Sequence, residues 1–141
     1  MKFRTHSAGL TVILLLVFVC PSLAQGDGYV PDDPVVKSAD LPLYPPLARQ
    51  ARIEGTVQMQ VTTDGVVITN LTASGAHKLL VNAAEDNVKT WHFYRHRPQT
   101  FTITFVYKLE KPEVYGFVNP TVLLELPARV EIHTKMPMAM P

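Results

Sequence analysis

The chain has 141 residues, of which 47% are apolar and 18% are charged, and its formal net charge is +1. These values describe one globular domain rather than a disordered chain, and they provide no basic surface of the kind that binds nucleic acid. The single cysteine excludes a disulfide within the chain.

The first 24 residues have the pattern of a secretory signal peptide. Lys2 and Arg4 form a positive n-region, residues 10–20 form an apolar run, and residues 22–24 supply the small side chains that a signal peptidase requires. A short membrane anchor is the alternative, because the apolar stretch is near the lower length limit for crossing a bilayer. Pro21 interrupts this stretch, so we predict cleavage and export.

A linker and a short helix are predicted next. Residues 25–43 are polar, acidic and dotted with prolines, which is the composition of an extended linker. Pro45 and Pro46 suit the start of a helix, because a first-turn proline lacks only an N–H that would be unpaired anyway. Gly55 is expected to end this helix. Its buried side is predicted to consist of Leu47, Ala48, Ala51 and Ile53.

A hairpin of two strands follows the short helix. Val57, Met59 and Val61 alternate with polar residues, which indicates a strand with one buried face. Asp64-Gly65 favours a tight type I′ turn. Residues 66–73 are therefore predicted to return as the antiparallel partner strand.

The second half of the domain is predicted to contain one helix and one strong strand. An apolar stripe indicates the helix, and residues 101–109 alternate strongly enough to indicate the strand. The elements together predict an α+β domain over residues 44–110, in which an antiparallel three-stranded sheet packs against two helices. The stripe consists of Leu80, Ala84, Val88 and Trp91.

The order and spacing of short motifs in these elements resemble the C-terminal domain of TonB, the energy transducer of Gram-negative bacteria. The resemblance covers residues 44–110 and implies a periplasmic interaction domain with no catalytic residue, cofactor or metal. The motifs, in chain order, are Tyr44-Pro45, Ile53-Glu54-Gly55-Thr56-Val57, Asp64-Gly65-Val66-Val67, Ser74-Gly75 and Trp91-His92-Phe93.

The resemblance also implies a partner and a binding mode. TonB C-terminal domains bind the TonB box, a short peptide of outer-membrane transporters, which adds as a strand to the free edge of the last strand. Such β-augmentation uses main-chain groups and demands little of side chains. The residues that it implies as partner-binding are Tyr44, Pro45, Phe101, Ile103, Thr104, Phe105, Val106, Tyr107 and Leu109.

Two functions remain open at this point. The first is a TonB-like domain that binds the TonB box and supports transmembrane transport, with the ExbB-ExbD motor as a further partner if the N-terminus is uncleaved. The second is a stand-alone periplasmic interaction or dimerisation module without energy transduction, which leaves a homodimer open. Energy transducers of this family carry an uncleaved N-terminal helix that contacts the motor and a long spacer, whereas here the N-terminus has the pattern of a cleavable signal peptide and the linker is short.

Residues 111–141 lie outside the resemblance and are predicted to form a β-rich C-terminal extension. Strand patterns occur at residues 114–118, 121–125 and 129–134, punctuated by prolines. We expect one of these segments to pair with the edge of residues 101–109, in the same chain or in a neighbour, because a long unpaired edge promotes aggregation.

His92 and His96 stand four residues apart, a spacing that suits a metal site only on a helix. They straddle the expected end of the helix beside two arginines, so we interpret them as solvated loop side chains and propose no metal.

Overall fold

The structure is a computed structural model that describes residues 30–111 and 120–137. The signal peptide and the strand predicted at residues 114–118 lie outside this range. Within the described ranges, no helix has the length and apolar character needed to span a bilayer. The elements are β1 (Val36–Ser38), α1 (Pro46–Gln50), β2 (Gly55–Thr63), β3 (Ile68–Gly75), α2 (Lys78–Val88), β4 (His92–Phe93), β5 (Gln99–Glu110), β6 (Thr121–Glu125) and β7 (Arg129–Lys135).

The main sheet has five strands in the order β3-β2-β5-β7-β6. β2 lies antiparallel between β3 and β5, whereas β7 runs parallel to β5 and antiparallel to β6. The predicted α+β class is confirmed, but the prediction of an antiparallel three-stranded sheet is wrong. The extension adds two strands because its alternating apolar residues, Val130 and Ile132, complete the core beside β5 when β7 pairs with it.

The core lies between one face of this sheet and the helices. Leu80, Ala84 and Val88 of α2 are fully buried against inward-facing residues of the sheet, as their spacing predicts. The helix ends at Val88 rather than at Trp91, yet Trp91 remains 4% exposed and its ring lies 6.3 Å from that of Phe105. The apolar stripe thus continues into the core past the end of the helix.

The link between β2 and β3 is a loop rather than the predicted two-residue turn. Asp64 organises it, because its Oδ1 accepts the N–H groups of Val66 and Val67, each at 2.9 Å. These bonds stabilise the carboxylate and lower the pKa of Asp64. Gly65 is required next to it, since its φ is +102° and a Cβ there would lie 2.3 Å from the carbonyl oxygen of His96.

Helix α1 ends earlier than predicted. Arg52, not Gly55, adopts the left-handed conformation, with φ of 54°. Ile53 N–H donates to the Ala48 carbonyl at 2.8 Å and Arg52 N–H donates to the Arg49 carbonyl at 3.2 Å, which is the hydrogen-bond pattern of a Schellman motif. In the predicted buried side, Ala48 is fully buried and Ile53 half-buried, but Leu47 is 64% exposed and Ala51 is exposed.

Part of the predicted linker is folded onto the domain. β1 pairs with β4 as a separate two-stranded sheet. Asn87 anchors the chain that follows, donating from Nδ2 to the carbonyl of Asp40 at 2.8 Å and accepting at Oδ1 from Trp91 Nε1 at 3.0 Å. The amide therefore ties the predicted linker and the core tryptophan to the end of α2.

A candidate peptide-binding edge on β5

Strand β5 carries most of the residues predicted to bind a partner, and their side chains divide between its two faces. Ile103, Phe105 and Tyr107 are buried in the core, with Leu109 nearly so and Phe101 half-buried. A partner beside β5 would therefore meet the main chain of the strand rather than these rings. Thr104 and Val106 lie on the opposite face of the sheet.

The β5 edge is paired within the chain over more than half of its length. The parallel register with β7 runs from Thr104 opposite Arg129 to Glu110 opposite Lys135. Thr104 N–H donates to the Ala128 carbonyl at 2.9 Å, and Met136 N–H donates to the Glu110 carbonyl at 2.9 Å. Since successive residues of a strand direct their main-chain groups to alternate sides, even-numbered residues of β5 face β7 and odd-numbered ones face β2. The expected pairing of the extension with this edge is confirmed for β7, within one chain.

No described strand covers the beginning of the same edge. Residues 99–103 precede the first residue that pairs with β7. Thr102 stands two residues before Thr104, so its N–H and C=O point to the same side. Its side chain is also exposed. This free stretch, residues 99–103, is where an incoming strand could make its first bonds.

A cluster of charged side chains crosses from β5 to β7 on the open face of the sheet. Glu131 lies at its centre with 15% of its side chain exposed. Its carboxylate accepts from Arg129 Nε at 2.7 Å, lies 3.0 Å from His133 Nε2 and lies 3.7 Å from Lys108 Nζ. These neighbours, His133 first, lower the pKa of Glu131 to about 2. His133 also reaches Glu110 of β5, with Nδ1 3.0 Å from Oε1, so the cluster joins the two strands.

Tyr44 and Pro45 lie beside the core rather than along the β5 edge. The Tyr44 ring is 8% exposed and stands perpendicular to the Tyr107 ring at 5.4 Å, while its hydroxyl donates to the Ile53 carbonyl. Burial, and then the charge of Glu54, raises the pKa of Tyr44 to about 12. Burial likewise raises the pKa of Tyr107, whose hydroxyl has no partner among the described residues. Pro45 precedes α1 and is half-buried.

Two of the sequence motifs have structural roles in the sheet that contains this edge. Glu54, in the Ile-Glu-Gly motif, accepts the N–H of Leu109 on its side chain, which extends the β2 side of the ladder beyond the start of β2. Gly75, in the Ser-Gly motif, permits close packing, because a Cβ there would lie 2.9 Å from Cγ2 of Val57 and 3.1 Å from Cγ2 of Val81. Both motifs thus have a role in packing and hydrogen bonding.

His96 is a structural residue that the sequence interpretation placed wrongly. It is 3% exposed, its Nε2 lies 2.7 Å from Oγ1 of Thr63, and its Nδ1 lies 2.9 Å from the carbonyl of Tyr94. A buried partner far away in sequence gives no local signal, which is why solvent was expected. His92 is exposed, as predicted. Among the described residues, no three metal-ligating side chains gather in one place.

Comparison with known proteins identifies the domain to which this edge belongs. The profile of the family described as Gram-negative bacterial TonB protein C-terminal matches residues 40–109. Residues 40–109 belong to the TonB C-terminal domain family. No curated protein and no solved structure is significantly similar to it.

Membership of the TonB C-terminal family gives the chain a coarse assignment. Domains of this family are generally periplasmic, lack enzymatic activity, take part in transport and interact with outer-membrane receptors. The matched region begins at the Asp40 anchor and ends within β5. β7, which covers the β5 edge, and β6, which pairs with β7, therefore lie outside the family match.

Proposed function

We propose that this TonB-like domain captures the TonB box of an outer-membrane transporter by strand addition to β5, and that it thereby supports transport across the envelope. The partner would bond to the main chain of even-numbered residues from Thr102 to Glu110. In this proposal, five of the side chains that were predicted to bind the partner instead support the edge from within the core. They are Phe101, Ile103, Phe105, Tyr107 and Leu109.

One observation carries this proposal: β7 already occupies the edge as a strand. Its segment Arg129–Lys135 is extended, lies in register with Thr104–Glu110 and inserts Val130 and Ile132 into the core, each fully buried. An incoming peptide that places apolar side chains at the same alternate positions would reproduce these contacts. The edge thus accepts an extended segment whose apolar residues are two apart.

Capture of a partner at this edge requires β7 to leave. Exposing the side chains of Val130 and Ile132 costs roughly 1.5–3 kcal/mol each, in addition to the ladder and the charge cluster. The apparent Kd for the peptide would equal the intrinsic Kd divided by the fraction of molecules in which the edge is open. We infer that the β6–β7 hairpin holds the domain in a closed state, and that the free stretch at residues 99–103 gives the peptide a place to begin.

The covered edge also supports a second candidate function. If β7 does not leave, the domain is a stand-alone periplasmic interaction module that does not transduce energy. N-terminal sequencing of the protein from cells distinguishes a membrane-anchored energy transducer from a stand-alone interaction module. A chain that begins at Gln25 excludes anchored transduction with an ExbB-ExbD motor, whereas an intact Met1 in the inner membrane supports it.

The proposed binding mode is tested with a TonB-box peptide and one substitution in the charge cluster. Glu131→Gln removes the charge that Arg129, Lys108 and His133 share, so the hairpin opens more often and peptide affinity rises. Asp86→Asn is the matched control, since it removes one acidic charge on α2 whose ion pair with Lys89 is exposed. Equal affinities of all three proteins would contradict displacement of β7, and no binding by any of them would contradict peptide capture.

A further inference from the structure

β6 is an outer strand of the main sheet, and among the described residues no strand pairs with its outer edge. Odd-numbered residues of β7 direct their main-chain groups to β6, because the even-numbered ones bond to β5. Leu123 lies opposite Glu131 and Thr121 lies opposite His133, so these residues of β6 bond inward. Val122 and Leu124 therefore direct their N–H and C=O groups outward, where no described strand pairs with them.

β6 carries few of the features by which edge strands usually avoid association. It has no lysine and no bulge in its pairing with β7, and its one charged residue, Glu125, lies at the end of the sequence Thr-Val-Leu-Leu-Glu. Leu123 is 51% exposed on the open face of the sheet and Leu124 is 49% exposed on the helix face. Apolar side chains therefore flank the unpaired main chain on both faces.

The five residues are complementary to themselves under a two-fold axis through Leu123. Antiparallel pairing of two copies about that axis places Val122 opposite Leu124 of the second copy and Thr121 opposite its Glu125. Val122 and Leu124 are the residues with outward main-chain groups, so each such pair exchanges both N–H···O bonds. Leu123 then faces Leu123 across the axis, and no two like charges stand opposite each other.

We propose that β6 is a homodimerisation strand, with which two copies of this chain join their sheets edge to edge. The occupant of the edge is a second copy because the apolar and polar positions of the strand match in that pairing. The interface is isologous, as expected of a two-fold dimer. This proposal does not depend on peptide capture at β5.

An apolar patch beside β6 extends the surface available to the second copy. Leu124 and Leu126 line a cavity of about 210 Å³ together with the segment that contains Leu41 and with Trp91. Leu41 and Leu126 are 61% and 38% exposed. The neighbouring chain can therefore place its Val122 and Leu124 side chains over this patch, which adds apolar contact to a short ladder.

Disulfide trapping tests this geometry directly. Directly opposed residues in a non-hydrogen-bonded pair have Cα atoms about 4.5 Å apart, within the range that a disulfide spans. In a Cys20→Ser background, Leu123→Cys is expected to give a disulfide-linked dimer under mild oxidation. Thr72→Cys is the matched control, because Thr72 is exposed on the same face of the other edge strand, β3. Equal or slower cross-linking of Leu123→Cys would overturn the proposal.

Sedimentation of the unmodified protein and of two lysine variants gives an independent test. Leu123→Lys places two positive charges opposite each other at the two-fold axis of the dimer. Within one chain the new lysine lies opposite the carboxylate of Glu131, so we expect the fold to be retained. We expect Leu123→Lys to weaken dimerisation by about tenfold or more, whereas Thr72→Lys should leave dimerisation unchanged. A wild-type protein that stays monomeric up to millimolar concentration, or a dimer that only Thr72→Lys disrupts, would refute the assignment to β6.

Discussion

Thr104 donates its main-chain N–H to the carbonyl of Ala128 at 2.9 Å, and this bond marks where the β5 edge becomes covered. Before it, no described strand pairs with this edge; after it, β7 runs parallel to β5 as far as Glu110. The edge of β5 thus has an unpaired segment followed directly by a segment that is paired with β7. This division allows the binding proposal to be tested with two nearby proline substitutions.

Thr102→Pro should weaken capture of a TonB-box peptide without loosening β7. The substitution removes an outward N–H on the free stretch, where proline is tolerated because the position is on an edge. Loss of one hydrogen bond corresponds to roughly a two- to tenfold loss of affinity, measurable by titration calorimetry. Thr104→Pro is the comparison, since it breaks the bond to Ala128 and should lower the thermal midpoint more. Unchanged peptide affinity of Thr102→Pro would show that the peptide does not use the free stretch.

Acid should weaken the attachment of β7 through Glu131. The pKa of this carboxyl is about 2 in the folded protein, below its ordinary value of 4.5. Its contribution to stability is therefore complete above about pH 4.5 and is lost as the pH falls toward 2. Thermal unfolding of wild type between pH 6 and pH 2.5 should show a steeper decline than that of Glu131→Gln. Parallel curves for the two proteins would contradict this role.

Asn87→Ala should destabilise the domain and release the segment around Asp40. It leaves the indole N–H of the buried Trp91 and the Asp40 carbonyl without their side-chain partner, which costs about 1–3 kcal/mol for an unsatisfied buried polar group. Urea denaturation measures the loss, and amide exchange locates the released segment. Asn82→Ala on the exposed side of α2 is the control and should have little effect. Equal stability of the two variants would mean that the anchor contributes nothing.

Alanine at two strand glycines should have opposite effects. At Gly75 a Cβ would lie 2.9 Å from Val57 Cγ2, so Gly75→Ala forces the core apart and should cost about 1–3 kcal/mol of unfolding free energy. At Gly55 the nearest atom would be 3.4 Å away, on Leu80. Gly55→Ala should therefore be neutral or stabilising, because alanine restricts the unfolded chain. Chemical denaturation of the pair checks the sign, and a stable Gly75→Ala protein would disprove the packing argument.

The local elements of the domain were predictable because their signals are local. Alternation of apolar residues identified β2 and β5, and the stripe through Leu80, Ala84 and Val88 identified α2. The turn at Asp64 was predicted in place but not in type, since a side-chain hydrogen bond to Val66 and Val67 competes with the two-residue turn. The end of α1 was misplaced because Arg52 adopted the conformation that glycine usually takes.

The candidate site was only partly predictable, because it consists of main-chain groups. The sequence indicated which strand should bind, but the number of strands in the sheet and the parallel direction of β7 depend on long-range pairing. The anchor at Asn87 and the burial of His96 likewise rest on contacts with residues far away in sequence. Asn87 carries no motif, although its position next to the apolar stripe of α2 was a weak indication.

By itself, the sequence determined the α+β class, the principal helix and strands, and the membership of the TonB C-terminal family. Side-chain periodicity and motif spacing record these properties directly. The tertiary structure alone decided that β7 covers the β5 edge from Thr104 onward and that β6 becomes the new outer strand. Every residue except proline carries the same main-chain donor and acceptor. The choice of strand partner therefore depends on which side chains complete the core, and Val130 and Ile132 do so here.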